Sequence, residues 1–174
     1  MASEVTPPSG QSDGAFQSLD QMANWVRFAE TKATILTAGL GVVLTMLMAK
    51  VDLVVTVLAQ GCRSALIVGG LALVVLVTFL WTLFWLMRAI GPQKSVNYSR
   101  LNRFAWPSLL QASTAQVVEH VGRVKVSDDA WQQVVDLARL ADRKFTACGR
   151  AAWGFAVLIV AGLGCVLTAL AVSA

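Results

Sequence analysis

The sequence predicts an all-α integral membrane protein with three transmembrane helices and cytoplasmic helical stalks on the first and third. Of its 174 residues, 56% are hydrophobic and only 14% are charged, whereas a soluble domain is typically about 25% charged. The apolar residues fall into three blocks separated by polar sequence, as helices that cross a bilayer require. In addition, one eight-residue pattern stands before two of these blocks.

That pattern is Arg-apolar-Ala-acid-x-Lys-x-Thr, and it occurs as RFAETKAT at 27–34 and as RLADRKFT at 139–146. Within each copy the acid and the lysine are two residues apart, so they point to different helix faces and need other partners. Three roles stay open: ion pairing between helices or subunits, ligand contact, and anchoring at the membrane interface. The stalk-coupling candidates are Arg27, Glu30, Lys32, Arg139, Asp142 and Lys144.

The first fifteen residues are polar and contain Pro7 and Pro8, so we expect residues 1–15 to be a disordered cytoplasmic leader. No secretory signal peptide is visible, because the first apolar run begins only at Ala33. Residues 16–50 are predicted to form a stalk helix and the first transmembrane helix. The stalk is amphipathic, with apolar residues at three- and four-residue intervals: Phe16, Leu19, Met22, Ala23, Val26 and Ala29.

The end of the first span depends on Lys50 and Asp52. A helix centred there would gain about 2 to 4 kcal/mol from extra apolar residues and lose about 5 to 7 kcal/mol from two charges at mid-depth. We therefore place the span at about 33–49. Residues 51–63 become a periplasmic hairpin whose first arm lies in the interface.

The other two spans each contain a long run without charge, Ser64 to Met87 and Ala151 to Ala174. Ser64 to Met87 holds 24 residues, of which 14 are Leu, Ile, Val or Phe, and these alone favour insertion by about 4 to 8 kcal/mol. The second transmembrane helix is thus placed at 64–88. A stalk helix and the third span are placed at 129–174, with an apolar stripe at Trp131, Val134, Val135, Ala138, Ala141, Phe145 and Cys148.

Small residues recur every fourth position in two spans. The sets are Thr37, Gly41, Thr45 and Ala49 in the first span, and Ala161, Cys165, Ala169 and Ser173 in the third. Such stripes allow close approach of membrane helices, either within one chain or between subunits.

Orientation follows from the cations. With three spans, twelve of the fourteen Lys and Arg residues lie on one side, which the positive-inside tendency makes cytoplasmic. We therefore expect a multi-pass protein of the inner cell membrane with a cytoplasmic N-terminus and a periplasmic C-terminus.

The cytoplasmic loop at 89–128 contains the segment NYSRLNRFAWPSLL, which combines arginines with aromatic residues. Cations bind phosphates and flat apolar faces stack on bases, so this segment is a candidate nucleotide site. The alternative is a buried turn in which the aromatic side chains pack against the stalks. The candidate nucleotide-binding residues are Arg100, Asn102, Arg103, Phe104 and Trp106.

Catalysis is not expected. The only histidine, His120, has no paired nucleophile, and Cys62, Cys148 and Cys165 lack metal-ligand or redox spacing. The spans hold no charge of the kind that marks an ion or proton path. We therefore expect neither an enzyme nor a transporter, with no metal, no cofactor and no nucleic-acid partner.

The order of three motifs around three spans resembles the small membrane effectors of bacterial Pycsar anti-phage systems. The motifs are AETKATIL before the first span, NRFAWPSL in the loop and LARLADRKF before the last span. This resemblance implies that a partner cyclase supplies cyclic UMP or cyclic CMP, and that an oligomeric effector then impairs the membrane and kills the infected cell. The competing hypothesis is a small scaffold membrane protein whose stalks bind a protein partner.

Overall fold

The computed structural model describes residues 10–59, 61–91 and 101–173, with side chains from residue 14 onward. Within these ranges the chain forms six helices and no strand: α1 (Gly10–Met48), α2 (Val51–Ala59), α3 (Cys62–Ile90), α4 (Trp106–Leu109), α5 (Thr114–Arg123) and α6 (Val126–Ser173). Three of them, α1, α3 and α6, are long and apolar enough to cross a membrane. The predicted all-α class with three spans is thereby confirmed, while the cytoplasmic placement of the stalks stays a prediction.

The described residues form two compact units. The polar unit comprises residues 10–28 and 101–143, and the apolar unit comprises residues 29–59, 61–91 and 144–173. Helices α1 and α6 contribute residues to both units. Helices α4 and α5 belong to the polar unit, and α2 and α3 belong to the apolar unit.

The core of the apolar unit is formed by α1, α3 and α6. Its buried members are Ala33, Leu40, Leu86, Ala89, Ala147, Cys148, Ala151 and Leu158. Four of these eight are alanines, so the helix backbones come close together. Helix α6 runs parallel to α1, because Phe155 lies over Gly39 and Leu47 lies over Gly162 farther along both helices.

Glycine is required at one contact between α6 and the antiparallel α3. A Cβ atom added to Gly154 would lie 2.6 Å from Thr82 Oγ1 and 2.9 Å from Trp81 Cδ1. These distances are shorter than a normal van der Waals contact, and Thr82 is itself fully buried. The bare backbone of Gly154 therefore sets how closely the two helices pack.

Helix α2 occupies most of the hairpin predicted at 51–63. Helix α1 ends at Met48, just before Lys50, and the chain becomes helical again at Val51. Val57 is fully buried with Val68, Cys165 and Ala169. The hairpin is thus helical on both sides of residue 60 and packs on α3 and α6, while its depth in the bilayer stays a prediction.

Helix α1 begins at Gly10, six residues before the predicted start. The disorder predicted for the leader is therefore corrected for residues 10–15, and residues 1–9 lie outside the described part of the chain. The reason is packing that composition does not reveal, because Ala15 is fully buried. Once a helix is nucleated, each added residue gains a backbone hydrogen bond at little further cost.

The predicted apolar stripe of the second stalk is partly wrong. Trp131 and Val135 are 46% and 44% exposed, whereas Asp129 and Gln133 on the neighbouring face are 5% and 7% exposed. The buried face of α6 in the polar unit therefore carries polar side chains. Apolar periodicity does not reveal this face, because Asp129 is buried through its contacts with Arg103 and His120.

The two small-residue stripes have different environments. Cys165 and Ala169 of α6 are buried in the apolar unit, so this stripe serves packing within the chain. The stripe of α1 is exposed along its whole length at Thr37, Gly41, Thr45 and Ala49.

Candidate functional site

The loop motif of the polar unit forms a hydrogen-bonded turn around Asn102. Asn102 is 3% exposed, and its Nδ2 donates to the Asp129 carbonyl at 2.9 Å while its Oδ1 accepts from the Phe104 amide at 2.8 Å. The backbone N–H of Asn102 donates to Ser108 Oγ at 3.1 Å. The short helix α4 follows, with Pro107 in its first turn, where proline is well tolerated. Asn102 thus shapes the turn from inside.

Arg103 is tied to the first turn of α6. Its Nε donates to Asp129 Oδ2 at 2.6 Å, and its Nη2 donates to the Val124 carbonyl at 2.7 Å. The side chains of Arg103 and Asp129 are 16% and 7% exposed. An ion pair this well shielded is energetically coupled to the fold, because removal of one partner leaves a buried charge uncompensated.

His120 of α5 completes a three-residue cluster with Arg103 and Asp129. Its Nε2 lies 3.0 Å from both carboxylate oxygens of Asp129, and because a carboxylate only accepts, the ring nitrogen donates. Helix α5 is fixed at its start by a capping box between Ser113 and Gln116. The Asp129 carboxylate is therefore shared by one guanidinium and one imidazole.

The two aromatic candidates of the loop have different surroundings. The Phe104 ring meets the Phe16 ring edge-on, with centroids 5.9 Å apart and planes at 74°. Trp106 is 69% exposed, although tryptophan is usually among the more buried residues. Leu110, four residues later, is 75% exposed. Trp106 is thus the side chain of the motif that offers an open aromatic face.

Four of the five candidate nucleotide-binding residues lie in one turn, but their side chains have different surroundings. Asn102 and Arg103 hold the turn and Phe104 packs against α1, in keeping with the alternative of a buried turn, while Trp106 faces outward. Arg100 lies outside the described residues. Asp129 and His120 were missed as partners of Arg103, and no local pattern identifies them, because they lie 26 and 17 positions away in the chain.

The repeat supplies an ion pair inside the apolar unit. The Lys144 ammonium donates to Glu30 Oε1, and Lys144 is only 5% exposed. One turn farther along α6, Cys148 Sγ lies 3.4 Å from the Ala29 carbonyl. Lys32 lies over the Phe145 ring, with its Nζ 5.6 Å from the centroid. The first copy of the repeat in α1 thus meets the second copy in α6 through Glu30 and Lys144.

The other stalk-coupling candidates lie in the polar unit. Arg139 pairs with Asp136 one turn earlier at 3.6 Å, and the Arg139 side chain is 69% exposed. The Asp136 side chain is 11% exposed, but a guanidinium this open to water contributes little to stability through such a pair. Arg27 and Asp142 are also exposed. The described residues contain no group of three or more His, Cys, Asp or Glu side chains that could hold a metal ion.

Comparison with known proteins identifies the family. The family model of the Pycsar effector protein domain matches residues 14–173. No match was found among curated proteins or solved structures. The match covers nearly the whole chain, including the loop motif and the three helices able to span a membrane. The chain therefore belongs to the Pycsar effector family and has a role in a Pycsar anti-phage system.

Proposed function

We propose that this protein is a membrane effector that a cyclic pyrimidine mononucleotide, cyclic UMP or cyclic CMP, activates to impair the inner membrane and cause abortive infection. The observation that carries the proposal is the family match over residues 14–173. The matched region contains both the polar unit and the three helices that are long and apolar enough to cross a membrane. A partner cyclase supplies the nucleotide. The role is that of an effector rather than an enzyme.

The polar unit is the proposed sensor. Its exposed Trp106 offers a flat face on which a pyrimidine base can stack, a contact worth about 1 to 3 kcal/mol per base. Arg103, held by Asp129 and the Val124 carbonyl, keeps the turn that presents Trp106 in one conformation. In this proposal Asn102 and Arg103 are positioning residues, and Trp106 contacts the ligand.

The polar unit is proposed to be cytoplasmic, where a cyclase would release its product. Twelve of the fourteen Lys and Arg residues lie on that side when α1, α3 and α6 are the three spans. The positive-inside tendency then places the N-terminus in the cytoplasm and the C-terminus in the periplasm.

The active form is proposed to be a homo-oligomer. Three helices enclose no wide pore, so membrane damage requires several copies of the chain or deformation of the bilayer. The small-residue stripe of α1 is exposed, and a Cβ atom added to Gly41 would meet nothing within 4 Å. In lipid, small residues allow such helix faces to pack closely against a second copy.

Dye leakage from liposomes that contain the purified full-length chain tests the proposal. We expect leakage on addition of cyclic UMP or cyclic CMP, and no leakage with cyclic AMP or cyclic GMP at the same concentration. Circular dichroism and protease accessibility would establish that the protein is folded and inserted. Failure of both pyrimidine nucleotides to cause leakage from such liposomes would refute the proposed mechanism.

A second function, a scaffold that binds a protein partner, is favoured by one observation. Trp131 and Val135 of α6 lie one turn apart in the polar unit and are 46% and 44% exposed. Exposed apolar neighbours of this kind are common in protein interfaces. A scaffold would cause no leakage with any nucleotide, so the liposome assay separates the two functions.

A further inference from the structure

Two arginines lie near one tryptophan in the apolar unit. The guanidinium carbon of Arg150 lies 4.4 Å from the ring centroid of Trp85, and that of Arg88 lies 5.9 Å from it. Arg88 stands in the last turn of α3, and Arg150 stands where the uncharged part of α6 begins. Because α3 and α6 are antiparallel, both cations lie at the same end of the helix bundle.

Arg150 brings an uncompensated positive charge to this place. Among the described residues, Arg150 makes no ion pair with a carboxylate. Trp85 Nε1 is buried with no hydrogen-bond partner within the described part of the chain. A guanidinium that lies over an indole still has its N–H donors available around its edge. The chemical group that complements this place is a phosphate, which accepts from arginine in a bidentate manner.

An apolar groove continues from the arginines along α3 and α6. Its volume is about 300 Å³. It is lined by Val77, Thr78, Trp81, Trp153, Gly154 and Val157. Trp81 lies one turn from Trp85, and their rings are in edge contact with centroids 5.8 Å apart. Gly154 lies one turn from Arg150, so the charged end and the apolar groove form one continuous surface.

We propose that this surface binds one anionic phospholipid, with the phosphate at Arg150 and an acyl chain in the groove. The cationic end of this surface suits the headgroup of a phospholipid, and the apolar groove suits an acyl chain. A water-soluble phosphate would leave the groove unused. Trp81 and Trp153 suit this position, since tryptophan is favoured where headgroups meet acyl chains. The proposal does not depend on nucleotide sensing by the polar unit.

Native mass spectrometry of the full-length protein in a neutral detergent tests the proposal. The probes are phosphatidylglycerol, which has an anionic headgroup, and phosphatidylethanolamine with the same acyl chains. We expect one phosphatidylglycerol per chain to be retained with roughly fivefold or greater preference, in line with the attraction between one arginine and an anionic headgroup. Equal retention of the two lipids by the wild-type protein would overturn the proposal.

Two variants and one competitor locate the binding. Arg150→Gln should abolish the preference for phosphatidylglycerol, whereas Arg139→Gln, which removes an exposed arginine of the polar unit, should preserve it. Val157→Trp should reduce retention of both lipids, because the larger side chain fills the groove. Glycerol 3-phosphate at millimolar concentration should not displace the lipid. An unchanged preference in Arg150→Gln, or displacement of the lipid by glycerol 3-phosphate, would overturn the proposal.

Discussion

Lys144 of α6 donates its ammonium group to the carboxylate of Glu30 in α1, so the two copies of the repeat are joined by an ion pair. The partners differ in exposure, since the side chain of Lys144 is 6% exposed and that of Glu30 is 48% exposed. The cost of breaking the pair therefore depends on which charge is left. A buried Lys144 ammonium that has lost its carboxylate is less favourable than a half-exposed Glu30 carboxylate that has lost its ammonium.

Removal of the acid should destabilise the protein more than removal of the base. We expect Glu30→Gln to lower the free energy of unfolding by about 1 to 3 kcal/mol, because Lys144 stays buried and loses its counter-charge. Lys144→Met should cost less, since methionine fills the same space and Glu30 is open to water. Thermal unfolding of the detergent-solubilised protein measures both changes.

Reversal of both charges provides the control for this pair. Each single change, Glu30→Lys or Lys144→Glu, places like charges together, whereas the double variant restores the attraction. We expect the double variant to unfold at a higher temperature than either single variant. A double variant no more stable than the worse single variant would show that the pair contributes nothing.

The Arg103 and Asp129 pair should be coupled in stability. Asp129→Asn leaves the guanidinium of Arg103 and the imidazole of His120 without their shared carboxylate. We expect a loss of about 2 to 4 kcal/mol, and the double variant Arg103→Gln with Asp129→Asn should lose less than the sum of the single losses. Strict additivity in this double-mutant cycle would contradict the coupling.

Much of the fold could be predicted from the sequence because the bilayer imposes simple rules on span length and charge. The uncharged run from Ser64 to Met87 lies wholly within α3. The polar unit was harder to predict, since its buried polar residues Asn102 and Asp129 have partners far away in the chain. Asp129 indicates only a helix start in the sequence, yet in the structure it holds both Arg103 and His120.

Trp106→Ala should weaken nucleotide binding without loss of stability. The side chain is 69% exposed, so its removal leaves no cavity, but it deletes the proposed stacking face. We expect an affinity about tenfold lower for cyclic UMP or cyclic CMP, within the range measured for aromatic stacking. Isothermal titration calorimetry on detergent-solubilised protein measures the affinity.

Leu110→Ala is the matched control for Trp106→Ala. Leu110 is 75% exposed and lies one turn beyond Trp106, so its removal deletes a similar apolar surface without an aromatic face. Its nucleotide affinity should equal that of the wild-type protein. Equal nucleotide affinities of the wild-type protein, Trp106→Ala and Leu110→Ala would show that Trp106 does not contact the ligand.

Gly154→Ala should destabilise the apolar unit. The added methyl group would lie 2.6 Å from Thr82 Oγ1 and 2.9 Å from Trp81 Cδ1, so α3 and α6 must move apart at a cost of about 1 to 3 kcal/mol. Gly149→Ala on the same helix should instead stabilise by up to about 1 kcal/mol, because nothing lies within 4 Å of its Cβ position. Thermal unfolding compares the two variants, and an equal effect of both would contradict the close helix contact.

Gly41→Ile should prevent oligomer formation and leave the single chain folded. Nothing within the described chain lies within 4 Å of the added Cβ, so the larger side chain is tolerated by the monomer. In an oligomer that packs through the small-residue stripe of α1, however, the isoleucine separates the helices.

Gly70→Ile is the matched control, because Gly70 is an exposed glycine of α3 whose Cβ position is equally open. Chemical cross-linking in liposomes should detect oligomers in the wild-type protein and in Gly70→Ile, and fewer in Gly41→Ile. Nucleotide-dependent leakage should fall in parallel, whereas undiminished cross-linking in Gly41→Ile would show that the chains associate through another surface.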